Sequence, residues 1–197
     1  MKKDGRWHFD SASGAQELVN RRIGRNEIAA IRAVLAFVAA QNAYHDMTAK
    51  AGHAEYARRI ISRPGQHDGL YWSAQESEEP SPLAAFVAAA AEEGYPDDLV
   101  PEAHTPYHGY RFRILTEQGP EAPGGAKSYI ENGRMTGGFA LVAWPVRYGA
   151  SGVMTFIVNQ DGVVFQDDLG PDTVKIAESM RRYDPDLRWA RIDVVEH

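Results

Sequence analysis

The sequence predicts an α+β fold, with a long N-terminal helix or two helices packed on an antiparallel sheet made by the C-terminal half. Three observations predict it. Apolar residues Ile28, Ile31, Leu35 and Val38, widened by Val34 and Phe37, recur at helical spacing and run on to about Tyr44. Beyond Pro96 the texture changes to short apolar or alternating runs, such as Tyr110–Leu115 and Phe139–Trp144. Asn159-Gln160-Asp161-Gly162 between two apolar runs is a hairpin signal, with Gly where a positive φ is needed.

Each element has its own signal. Asp4-Gly5 before Trp7-His8-Phe9 predicts a hairpin turn leading into a strand. Residues 1–10, which lack the apolar stretch of a signal peptide, are therefore expected to be the remnant of a preceding domain, with a leader removed. Residues 11–47 are expected to be helical. Ser11 or Ser13 supplies a cap with Glu17 behind it, and Gly24 either bends or breaks the run. Residues 48–108 read as loops with helix. Ala54–Ile61 is long enough for two turns, Pro64-Gly65 and His67-Asp68-Gly69 are turns, and Ser81-Pro82 starts an Ala-rich helix that Gly94 stops. Residues 109–197 supply the sheet and a short helix. The strands are Tyr110–Leu115, Phe139–Trp144, Val153–Val158 and Val163–Gln166, with an edge strand near Trp189–Val194 and a helix from Asp172 to about Arg182 that Asp172 caps. The whole of 1–197 reads as one α+β domain.

Composition excludes several function classes. Hydrophobic residues make up 44 %, enough for a core, and charged residues 24 %, as in ordinary globular chains. The formal charge of −6 and the pI near 5.6 argue against nucleic acid as a partner, because a phosphate-binding surface needs clustered cations. With no cysteine, disulfides, thiolate nucleophiles and Cys-ligated zinc are out. No apolar run reaches the ~20 residues of a membrane span.

His104 and His108 have the i, i+4 spacing of zinc ligands on a helix, but Pro106 between them opposes a helix. Asp161, Asp167, Asp168 and Asp172 lack the spacing of a calcium loop. Ser151 lies in Gly-Ala-Ser-Gly, not in a nucleophile elbow. The glycines of 119–125 and 133–138 lack the lysine and the strand–turn–helix context of a phosphate loop. No cofactor and no metal are expected. What remains is a set of aromatic and basic residues at the ends of neighbouring expected strands: His104, Tyr107, His108, Tyr110, Trp144, Arg147 and Tyr148. Such a rim suits a ligand groove, and its aromatic bodies and guanidinium favour a small anionic or carbohydrate-like ligand.

The strings Asn26-Glu27-Ile28-Ala29-Ala30-Ile31 and Ala40-Gln41-Asn42-Ala43-Tyr44 resemble the start of the globular domain of type IV pilins and type II secretion pseudopilins. Gly109-Tyr110-Arg111-Phe112, Gly138 to Pro145 and Phe156 to Val164 are similar to the sheet of minor pilin-like proteins. The chain from Gly5 to Trp189 also resembles a bacterial family of unknown function whose members are exported. These resemblances imply a periplasmic or secreted, non-enzymatic domain acting in envelope assembly, with an envelope protein as partner, or as a binding module. The alternative is a periplasmic hydrolase using the region of His108 and Tyr148. A pilin carries an apolar membrane helix before its amphipathic one, where this chain has Trp7-His8-Phe9 and polar residues.

Overall fold

Residues 2–3, 6–7, 11–73, 79–95 and 106–193 are described by the computed structural model. Strands β1 (Lys2–Lys3) and β2 (Arg6–Trp7) pair antiparallel, Lys2 opposite Trp7. They flank the Asp4-Gly5 signal, which itself lies outside the described residues. Helix α1 then runs unbroken from Ser11–Lys50, about 60 Å at 1.5 Å per residue. Gly24 neither breaks nor ends it. A single glycine costs ~1 kcal/mol against alanine, which a helix of this length tolerates.

The buried stripe of α1 is rotated from the expected one. Ala30, Val34, Phe37, Gln41, Tyr44 and Thr48 face the core, Ile31, Leu35 and Val38 lie on its margin, and Ile28 is 54 % exposed. Two polar side chains cause the rotation. Gln41 donates from Nε2 to the Ala57 carbonyl and accepts from the Ala57 N–H, both at 2.8 Å. Thr48 Oγ1 donates to the Glu55 carbonyl at 2.9 Å and accepts from the Glu55 N–H at 3.0 Å. Buried this way, both are satisfied, and the stripe passes through positions that hydropathy reads as surface.

The same bonds explain why 54–61 is not helical. Gln41 and Thr48 stand in for a neighbouring strand, holding 55–57 extended. Tyr56 bridges Met135, and Ile61 bridges Tyr71 in parallel. Helix α2 (Ala84–Glu92) begins later than Ser81-Pro82 suggested. Leu83 is buried and its N–H bonds the Leu70 carbonyl at 2.9 Å, so the backbone is pinned before the helix starts. Gly94, at φ 90°, ends it as expected.

The sheet half follows in chain order. It comprises β3 (Tyr110–Leu115), β4 (Glu117–Gln118), β5 (Lys127–Ser128), β6 (Ile130–Glu131), β7 (Arg134–Met135), β8 (Ala140–Pro145), β9 (Thr155–Asn159) and β10 (Phe165–Asp167). A 3₁₀ turn (Gly170–Asp172), α3 (Thr173–Ser179), β11 (Arg182–Tyr183) and β12 (Ala190–Arg191) complete it. The main sheet has the order β12-β10-β9-β8-β3, antiparallel throughout. The β9–β10 hairpin has Phe165 opposite Ile157 and Gly162 at φ 72°, as its turn signal predicts. Every residue of β8 and β9 is buried, because α1 covers one face and α3 the other.

Three details depart from the sequence reading. Asp172 makes no side-chain capping bond. The helix it precedes stops at Ser179, because Arg182 and Tyr183 pair in parallel with β4. The β6–β7 hairpin turns through Asn132-Gly133, both in the left-handed region, a strong turn signal that the glycine-loop reading passed over.

Candidate functional site

Tyr107-His108-Gly109-Tyr110 is a two-residue hairpin. The Tyr107 N–H donates to the Tyr110 carbonyl at 3.0 Å and the Tyr110 N–H to the Tyr107 carbonyl at 2.9 Å. His108 and Gly109 have φ of 46° and 72°, the pair of left-handed residues such a turn demands. Gly109 is required twice over, since a Cβ there would sit 2.7 Å from Ser151 Cβ. A histidine in this region is uncommon and needs support. Tyr95 provides it, its hydroxyl accepting the His108 N–H at 3.1 Å.

The turn presents a cluster on its outer side. His108 Nε2 lies 2.8 Å from Glu93 Oε2, and the Tyr107 hydroxyl donates to the same oxygen at 3.5 Å. The rings of Tyr95, Tyr107 and His108 contact one another with centroids 4.4–5.0 Å apart, and Phe86 meets Tyr107 edge-on at 5.2 Å. Burial first, then the Glu93 carboxylate, pushes the Tyr107 hydroxyl up to about 12, so it stays a donor throughout the neutral range. Glu93 keeps about half its side chain in solvent and His108 about a quarter. Both are reachable from outside.

The loop 146–152 lies against this turn. The Val146 N–H donates to the Gly109 carbonyl at 2.9 Å, and Ser151 Oγ accepts the Arg147 N–H at 2.9 Å. Helix α1 clasps the loop from behind. Arg22 Nε donates to the Ala150 carbonyl, Asn26 Nδ2 to the Ser151 carbonyl, and Glu27 Oε1 accepts the N–H groups of Val153 and Met154. Gly152 abuts the Tyr110 hydroxyl so closely that a Cβ would fall 2.1 Å from it.

The seven rim residues separate into three groups. Tyr107 and His108 do come together, and Arg147 lies exposed in the adjoining loop with no side-chain partner among the described residues. Tyr148 belongs to another contact, its hydroxyl donating to Asp168 Oδ2 at 3.2 Å, and that carboxylate raises its pKa. Tyr110 and Trp144 are not rim residues. Tyr110 is wholly buried, donating to the Met154 carbonyl at 2.9 Å, and Trp144 is buried on the α3 face beneath Arg113. The alternation of β3 decides both cases: Tyr110 points to the α1 face, and Trp144, opposite Arg111, points to the α3 face. His104 lies outside the described residues. Glu93, Tyr95 and Phe86 were missed, although Glu92-Glu93-Gly94-Tyr95 closing an Ala-rich helix was legible as a polar, aromatic helix end. Among the described residues no three His, Asp or Glu side chains converge to hold a metal ion, and no helix is long and apolar enough to cross a membrane.

The sequence pattern of a family described as a protein of unknown function, DUF2950, matches residues 1–192. The chain belongs to the DUF2950 family. No curated protein and no solved structure matches it. The cluster offers aromatic faces, a half-exposed carboxylate, an imidazole that donates or accepts, and a free guanidinium one loop away. Such a set binds polar molecules that also carry an apolar face.

Proposed function

We propose that this DUF2950 chain is a non-enzymatic binding domain, exported and working in the cell envelope, that takes a small anionic or carbohydrate-like ligand at the 107–110 turn and the 146–152 loop. The observation that carries the reading is the His108 turn. A histidine is kept in a left-handed conformation by Tyr95, with its ring and Glu93 open to solvent and the rings of Tyr95 and Tyr107 against the imidazole. Uncommon backbone of this kind, sustained by dedicated bonds, concentrates at binding sites. Arg147 supplies a cation for an anionic group. The placement in the envelope, and a pilin-like role there, rest on the sequence resemblances and on the long helix laid against an antiparallel sheet. Fractionation of cells expressing the full-length gene product tests that placement, and recovery in the cytosol alone rejects it.

The site is tested by NMR titration with oligogalacturonate and with a neutral oligosaccharide of the same length. Shifts should centre on 93–95 and 107–109. His108→Asn suits the turn, because asparagine tolerates positive φ, and it should weaken binding by about tenfold without lowering the melting temperature. Binding of the same strength in His108→Asn would reject the site.

A second reading, a periplasmic hydrolase, is favoured by one distance, the 2.8 Å between His108 and Glu93, which is the geometry of an oriented acid–base pair. Tyr148 contributes nothing to that pair among the described contacts, its hydroxyl being taken by Asp168. Turnover of ester or glycoside substrates that vanishes in both Glu93→Gln and His108→Asn would favour this reading over simple binding.

A further inference from the structure

Strand β3 is one edge of the main sheet. Tyr110 spends its outward N–H and C=O on Tyr107. Phe112 and Ile114, in the same phase of the ladder, also direct theirs away from β8, and among the described residues nothing pairs with them. Facing this edge is the segment 58–64, which makes its own backbone bonds to Leu70 and Tyr71 and leaves the N–H and C=O of Ile61 without a backbone partner among the described residues. Between the two lies a groove of about 440 Å³.

The groove is basic in an acidic protein. Arg58, Arg59, Arg63 and Arg113 line it, in a chain whose formal charge is −6. The carboxylate that meets these guanidiniums is Asp68, shared by Arg63 at 2.6 Å and Arg59 at 3.7 Å. Among the described residues Arg58 and Arg113 hydrogen-bond only backbone carbonyls, Arg58 that of Gly133 and Arg113 those of Ala177, Glu178 and Met180. The groove on the far side of the sheet, about 410 Å³, differs because its arginines are met by carboxylates, Arg188 by Asp186 and Arg182 by Glu117.

We infer that the groove between β3 and residues 58–64 is a docking site for an extended acidic peptide segment of a partner protein, added as a sixth strand beside Phe112 and Ile114. Backbone pairing gives such a site its affinity, and the charges select the partner. A second copy of this chain is disfavoured as occupant, since edge-to-edge pairing brings two sets of arginines together. The inference is independent of the ligand site at His108.

A fluorescently labelled Glu-Val-Glu-Val-Glu-Val peptide and its Lys-Val counterpart test it on the full chain, with amide exchange read at Phe112 and Ile114. The acidic peptide should bind and slow exchange at both amides by about tenfold, while the basic peptide, and the acidic one on R59E/R63E, bind at least about tenfold more weakly. The R59Q/R63Q variant, which removes charge without reversing it, serves if R59E/R63E melts early. Absence of binding, equal binding of the two peptides, or binding without slowed exchange overturns the inference. Slow exchange at Phe112 and Ile114 in the free chain also overturns it, whether independent of concentration, as when the chain's own residues cover the edge, or rising with it, as in self-association.

Discussion

The two halves of α1 are held by different forces. From Ala30 to Thr48 the helix buries a continuous face: Val34 and Phe37 are 0 % and 3 % exposed, and Phe37 meets Phe139 edge-on at 5.6 Å. From Ser13 to Glu27 no residue is buried, Leu18 is 70 % exposed, and hydrogen bonds tie the helix to the loop 150–154, Arg22 and Asn26 donating to it and Glu27 accepting from it. One half is fastened by area removed from water, which is non-directional and large. The other is fastened by a few directional bonds whose net worth is ~1 kcal/mol each. The first makes the core; the second positions the loop that carries Arg147.

This comparison breaks first at Phe37. Phe37→Ala removes a ring from a packed core and should cost about 3–5 kcal/mol in denaturant unfolding. A loss below about 1 kcal/mol would mean that the C-terminal half of α1 is not seated on Phe139. Gln41 comes next. Gln41→Ala deletes both partners of Ala57 in a buried site, leaving an N–H and a C=O unpaired, and should cost about 2–3 kcal/mol. Glu27→Ala follows at about 1–2 kcal/mol, since the two N–H groups it releases are only part-buried. Glu27→Gln, which keeps the acceptor and loses the charge, should recover about half of that. If both Glu27 variants match the parent, the loop is held by Arg22, Asn26, Tyr110 and Ser151 without Glu27.

The same contrast explains what the sequence disclosed. The helix, the strands Tyr110–Leu115 and Phe139–Trp144, and the Asp161-Gly162 hairpin were legible because burial of apolar residues leaves a period, and tight turns demand glycine. The stripe of α1 was misread by about one position because Gln41 and Thr48 are buried through partners 16 and 7 residues away, and no periodicity encodes a hydrogen bond. The extended 55–57 was misread for the same reason, since its strand partners are side chains. Of the candidate site, Tyr107 and His108 could be named from residue type. Tyr110 and Trp144 could not be separated from them without knowing which face of the sheet each one takes. Glu93 reaches His108 across 15 residues, a pairing that only the fold creates.

The finest test of the comparison is Gly24. It sits in the half of α1 that packing does not support, its backbone is helical, and a Cβ built there meets nothing within 4 Å. Alanine should therefore favour the helix by about 0.5–1 kcal/mol, through the conformational freedom glycine loses on folding. Where that gain is read decides how the two halves are coupled. If the bonds of Arg22, Asn26 and Glu27 tie residues 13–27 to the rest, the half unfolds with the core, and Gly24→Ala raises the global unfolding free energy by the full amount. If those bonds open before the core does, the global value stays fixed, and the gain shows only as slower amide exchange between residues 14 and 28. The expected result is the first, because four hydrogen-bonding groups of the loop, two carbonyls and two N–H groups, lose their partners when this half detaches or shifts. Unchanged denaturant midpoints alongside slowed local exchange would show that the helix is two cooperative units joined at about Ala29, with the loop 146–152 depending on the weaker one.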